Sequence, residues 1–139
     1  MDKIISKTLS ARLKVRSYEL DGYGHVNNAT YLQYLEYARG EYMKQMGIIF
    51  RHDMPDMIRF FVVNANLNFK SPATIDDDLE IIGTVKKIGN TSFTLKQDIY
   101  NINTRVLVLD AEVTVVFIDP ENKPTRISES YREIFLPFL

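Results

Sequence analysis

The residues with the most chemistry to offer stand together near the start of the chain. Asp21, His25, Asn27 and Asn28 are interleaved with Gly22 and Gly24 in the run LDGYGHVNN. An ionised Asp21 can take a proton from water or attack an electrophilic carbon itself. Asn27 and Asn28 are both good helix N-caps, and a helical pattern starts just after them. A helix N-terminus presents orphan N–H groups and the positive end of a dipole, which together suit an anion. Gly24 has no side chain, so the backbone there can come close to a ligand. The same residues have a plainer use: an aspartate shortly before a helix shapes a turn, and an asparagine caps. Residue types alone leave both readings open.

The helix that must carry this segment spans 29–47, interrupted by no Pro and only by Gly40 before the stop at Gly47. Tyr31, Leu35, Ala38, Tyr42 and Met46 recur at three- and four-residue spacing and mark one buried stripe. Strand patterns surround it. Residues 11–19 alternate with Leu13 and Val15 on one parity, and residues 60–70 alternate through Val63, Ala65, Leu67 and Phe69. Ser71-Pro72 ends that strand. Residues 78–88 lead through Gly89-Asn90, a hairpin signal, into 91–102. Residues 104–118 are the most apolar strand, with Leu107, Leu109, Ala111, Val113, Val115 and Phe117 on one face. The tail from Thr125 to Arg132 holds a short turn or helix. One long helix and a curved antiparallel sheet must bury their apolar faces on each other, and wrapping the sheet around the helix does so. The expected class is α+β with the hot-dog arrangement, a five-stranded sheet around one central helix, in a single domain over 1–139.

Composition narrows the function. With 45% apolar and 25% charged residues in 139, this is an ordinary globular chain that can bury a sizeable core. There is no cysteine, so thiolate nucleophiles, disulfides and cysteine metal sites are excluded; two histidines, His25 and His52, make a zinc site improbable. Neither a metal nor a cofactor is expected. A formal charge of −1 argues against nucleic acid as a partner. No stretch is apolar for long enough to serve as a signal peptide or to span a membrane, so the expected location is the cytoplasm.

The pattern D-x-x-G-H-V-N-N-A-x-Y-x-x-Y-x-E-x-A-R, running from Asp21 to Arg39, resembles the 4-hydroxybenzoyl-CoA thioesterase family of hot-dog proteins. Within it, YELDGYGHVNNATY is most similar to hydrolases of fatty acyl-CoA and acyl-ACP (acyl carrier protein). The resemblance implies that Asp21 is the catalytic carboxylate, as general base or nucleophile, and that the thioester carbonyl sits against backbone N–H groups at the helix start. Asn28 and Ala29 match the donating amides by position, with Gly24 helping to place the thioester. Donors aimed at the developing oxyanion are commonly the largest single contribution to such a reaction. The resemblance also implies that pantetheine threads between two subunits of a homodimer or homotetramer.

His25, Asn27, Tyr31 and Phe61 are expected to line the substrate pocket, with Leu35, between helix and sheet. Asn27 has an equal claim as a cap, and His25 is expected to orient the loop rather than act as a base. Glu36 is a rival carboxylate, but three residues before Arg39 it reads as half of a structural salt bridge. Met54, Met57, Ile58, Phe60 and Phe61 form an apolar stretch suited to an aliphatic tail or to the core. Asn64, Asn66 and Asn68 share the strand face opposite the apolar one, and the run 76–78 of three aspartates reads as a solvated turn. Two other functions fit the scaffold: a dehydratase, for which neither histidine has the flanking pattern, and a non-catalytic acyl-thioester binding or sensor protein, which would have no use for Asp21.

Overall fold

The sheet is built from five antiparallel strands, and its order explains where a ligand can enter. A computed structural model describes residues 7–48 and 58–139; His52, Met54 and Met57 lie outside the described residues. β1 (Leu9–Lys14), α1 (Asn28–Gln45), β2 (Arg59–Phe69), β3 (Asp78–Ile88), β4 (Ser92–Asn101), β5 (Leu107–Ile118) and the short α2 (Glu129–Phe135) follow in sequence. Across the sheet the order is β1-β3-β4-β5-β2. β3, β4 and β5 form a meander, while β2 crosses to the far side of β5 and becomes an edge, as β1 is the other.

Alternation builds the core. Leu79, Ile81 and Val85 of β3, Phe93, Leu95 and Ile99 of β4, and Leu109 through Phe117 at odd positions of β5 all point to one face and are buried. Against this face α1 lays Tyr31, Tyr34, Leu35, Ala38 and Tyr42. The stripe was legible from spacing, though Tyr34 belongs to it as well. Tyr42 reaches so far that its hydroxyl donates to the Ile81 carbonyl at 2.8 Å, and its ring lies over Gly83. A Cβ at Gly83 would stand 2.5 Å from that ring, so only glycine admits it. α2 closes one end of the core with Phe135 stacked on Phe93, centroids 4.5 Å apart.

Three elements differ from expectation. The first strand stops at Lys14 rather than continuing to 19; Ser17–Glu19 make a 3-10 turn instead, because the Glu19 carboxylate folds back to accept from the Arg16 N–H at 2.8 Å. The hairpin turn takes three residues, 89–91, closed by the Gly89 N–H on the Ser92 carbonyl. The strand expected from 104 starts at Leu107, since 101–105 turn about the Asn101 side chain, which accepts from the N–H groups of Asn103 and Thr104.

The fourth difference matters most. β2 carries a bulge between Val62 and Asn64, opposite Val115 and Thr114. An inserted residue reverses the parity of everything before it. Phe60, Val62, Ala65, Leu67 and Phe69 therefore pair with inward-facing residues of β5, and Phe61, Asn64, Asn66 and Asn68 face the other way. β2 is also the barest strand: Phe61, Val62, Val63 and Phe69 are each about half exposed.

Candidate active site

The segment from Glu19 to Asn28 is held by bonds that its own residues supply. Leu20 and Val26 bridge across the base of the loop, and the Asn27 N–H donates to the Glu19 carbonyl at 2.9 Å. Within the loop, Asp21 Oδ1 accepts from the Tyr23 and His25 N–H groups at 2.8 and 3.1 Å. Gly24 turns the chain at φ +80, a conformation that costs other residues strain. Its carbonyl accepts from the Thr74 hydroxyl at 2.9 Å, and His25 bridges to Thr74, which ties the loop to the segment before β3.

Asp21 is half-buried and lines a cleft of about 230 Å³ together with His25, Val26, Asn28, Tyr31, Phe69, Lys70, Ser71 and Pro72. Oδ2 accepts no hydrogen bond among the described residues, so one carboxylate oxygen is fixed by backbone and the other is available. Tyr31 walls the cleft with its ring 5.7 Å from that of Phe69, and burial pushes its hydroxyl above the usual tyrosine range. The helix N-terminus meets the same cleft at Asn28.

Asn27 is the N-cap: its side-chain oxygen accepts from the Ala29 N–H at 2.9 Å, and its carbonyl from Thr30 at 3.0 Å. That engages the Ala29 amide, one of the two expected donors, and leaves the Asn28 N–H without an acceptor among the described residues. The Gly24 N–H likewise is turned onto the Asp21 carbonyl at 3.2 Å. Thus Asp21, Asn28, His25 and Tyr31 converge on one cleft, while Ala29, Gly24 and Asn27 serve the loop and the cap. Phe61 does not join them. It faces away from the helix, with the Arg59 guanidinium 5.4 Å over its ring, because the bulge reverses its parity; Phe60 and Val62 hold the inward places.

Two further groups escaped the sequence. Glu19 is buried, and its carboxylate accepts from Tyr34 Oη at 2.9 Å and from Arg16 Nη2 at 2.8 Å, besides the Arg16 N–H. Burial by itself raises the pKa of this carboxyl, but the bonds from Arg16 and Tyr34 outweigh it and hold the group below its usual range. Glu19 thereby pins the start of the Asp21 loop to the body of α1. Its only sequence signal is an acid two residues before another acid. Second, Arg39 does not form an ion pair with Glu36 among the described residues. Its guanidinium donates instead to Oε1 of the fully buried Gln97 at 3.1 Å, and Gln97 donates to the Leu35 carbonyl. The expected Glu36–Arg39 bridge is thus replaced by an inward contact from helix to β4.

Comparison with known proteins places this arrangement. The family model described as thioesterase superfamily matches residues 23–108. Long-chain acyl-CoA thioesterase FadM of Escherichia coli is 38% identical over 111 residues, covering 80% of this chain and 83% of that protein. The chloroplastic acyl-acyl carrier protein thioesterase ATL3 of Arabidopsis thaliana is 28% identical over 137 residues, covering 99% and 72%. Among solved structures, Slr0204, a 1,4-dihydroxy-2-naphthoyl-CoA thioesterase from Synechocystis, superposes with a TM-score of 0.84 at 20% identity, covering 94% and 96% of the two chains, which speaks to the fold. The chain belongs to the thioesterase superfamily: it is a thioester hydrolase with the hot-dog fold.

Proposed function

We propose that this enzyme hydrolyses acyl-CoA or acyl-ACP thioesters to the free acid and thiol, with Asp21 as the catalytic carboxylate, within the 4-hydroxybenzoyl-CoA type of the superfamily. The observation that carries the reading is the Asp21 carboxylate itself: Oδ1 is held by two backbone N–H groups and Oδ2 accepts no bond among the described residues, in a cleft that also contains the first residue of α1. A water bound to Oδ2 gives up a proton and attacks the thioester carbon. The charge that develops on the carbonyl oxygen is met by the Asn28 N–H and the dipole of α1. The thiolate then leaves and takes the proton from Asp21. Thiolate leaves readily, so one carboxylate is enough. Direct attack by Oδ2 through a mixed anhydride uses the same geometry. The names of FadM and ATL3 support CoA and the carrier protein, respectively, as the thiol partner, and the cytoplasm as location is part of the same reading.

The proposed assembly is a homodimer or a pair of dimers. β2 supports it as a sheet edge whose apolar side chains are half exposed on both faces; pairing with a second copy covers both. The chemistry is tested by thiol release from a panel of CoA and ACP thioesters. Single turnover in ¹⁸O-water then separates the two routes: label appearing only in the product acid fits water attack, and label in the Asp21 side chain fits the anhydride. Absence of thiol release from every member of the panel contradicts the proposal.

A further inference from the structure

An oxyanion is commonly met by more than one hydrogen-bond donor, and losing a single donor costs about 10²–10³ in rate. The first amides of α1 supply few. Asn27 engages the Ala29 N–H with its side chain and the Thr30 N–H with its carbonyl, which leaves the Asn28 N–H among the described residues. A second donor stands one turn along the helix. Tyr31 follows Asn28 by three residues, and a helical side chain leans back over the turn before it. Its ring walls the cleft that Asp21 and Asn28 also line.

Tyr31 is 3% exposed, with its ring fixed edge-on to Tyr34 at 5.9 Å and tilted against Phe69 at 5.7 Å. A phenol oxygen can both accept and donate. Here it accepts from the Ala73 N–H, and that is its one hydrogen-bond partner among the described residues, so its own proton is uncommitted. A buried donor left without an acceptor costs free energy, and a group entering the cleft can supply one. Burial, then the charges of Asp77 and Asp21, favour the neutral hydroxyl over the phenolate and outweigh the Ala73 N–H, so the proton is in place at neutral pH. His25 and Lys70 are the other titratable groups lining the cleft.

We infer that the Tyr31 hydroxyl is the second oxyanion donor: it joins the Asn28 N–H on the thioester oxygen while Asp21 directs water at the carbon. This rests on the thioesterase reading above and adds a catalytic residue to it. The hydroxyl shares its proton with the oxygen and does not transfer it. The proton from water still goes to Asp21 and then to the departing thiolate. The bond is made to a neutral oxygen in the ground state and strengthens as charge develops, which places its effect in kcat. The plainer use of Tyr31 is as a packed ring, and phenylalanine would fill that use equally well.

The test measures kcat and KM against pH for thiol release from an acyl-CoA by the wild type and Tyr31→Phe. In the variant kcat is expected to fall about a hundredfold, with KM and the acid limb of the profile unmoved. A kcat close to that of the wild type overturns this inference and leaves the hydrolytic reading standing. A loss accompanied by an upward shift of the acid limb also overturns it, because the hydroxyl then acts on Asp21 rather than on substrate. No thiol release by the wild type from any thioester overturns both readings. Phenylalanine also takes the acceptor from the Ala73 N–H, so a second protein keeps the oxygen: 3,5-difluorotyrosine in place of Tyr31, a more acidic phenol. Its kcat is expected to decline at lower alkaline pH than that of the wild type, because a phenolate cannot donate. A profile superimposable on the wild type overturns the inference whether or not Tyr31→Phe folds.

Discussion

Asp21 stands out in the sequence as a candidate because its neighbours are unusual in combination: two glycines, a histidine and two asparagines before a helix. What the sequence could not reveal is how the loop spends its own hydrogen bonds. Asn27 takes the Ala29 amide, and among the described residues this leaves the Asn28 N–H without an acceptor. Glu19 was illegible for a related reason, since its partners Arg16 and Tyr34 meet it only after the 3-10 turn forms. Replacing Glu19 by Gln removes the charge that Arg16 and Tyr34 are arranged to meet. A loss of about 1–3 kcal/mol is expected, measured by urea unfolding at pH 7. The folded carboxyl sits below the ordinary glutamate value of 4.5. It therefore contributes stability that is fully present above 4.5 and fades as pH falls through the lower folded value. The wild-type protein should lose stability on acidification through that window, and Glu19→Gln should lose less; parallel pH profiles would contradict this account.

At the scale of elements, the helix and four of the five strands were legible because each has one wet face and one dry face. β2 was legible as a strand but not in its facing. Its bulge at Val62–Asn64 preserves the local alternation on either side and changes only the phase between them. Phe61 was misassigned for that reason. The start of α1 depends on Asn27, whose replacement by Ala should cost about 1 kcal/mol of stability, with Asn27→Asp close to wild type. Thermal unfolding of the two variants checks it, and equal stability of Ala and Asp would refute the cap. On the sheet side, Gly83→Ala drives a methyl into the Tyr42 ring. It should destabilise by about 1–3 kcal/mol, the range for overpacking, and an unchanged unfolding midpoint would show that Tyr42 can move aside.

For the whole molecule, α1 lies over β1 and β3, and on the inward side of β2, at one edge of the sheet, Val62 and Phe69 are about half exposed. This one offset creates the cleft at Asp21, the apolar line along β2 and a strand edge able to accept a second copy. Light scattering should give a mass of two or four chains. Val63→Lys, at the exposed bulge, should shift the protein toward monomer, because a lysine on a sheet edge discourages pairing. A wild-type monomer would remove the intersubunit site from the account.

The central claim is that the Asp21 carboxylate performs the hydrolysis. Asp21→Asn keeps the size and the Oδ1 acceptor that Tyr23 and His25 bind, and removes only the charge. The decisive measurement is kcat for thiol release from an acyl-CoA by this variant beside the wild type, with matched unfolding curves. The account predicts a fall of about a hundredfold; hydrolysis at the wild-type rate would contradict it.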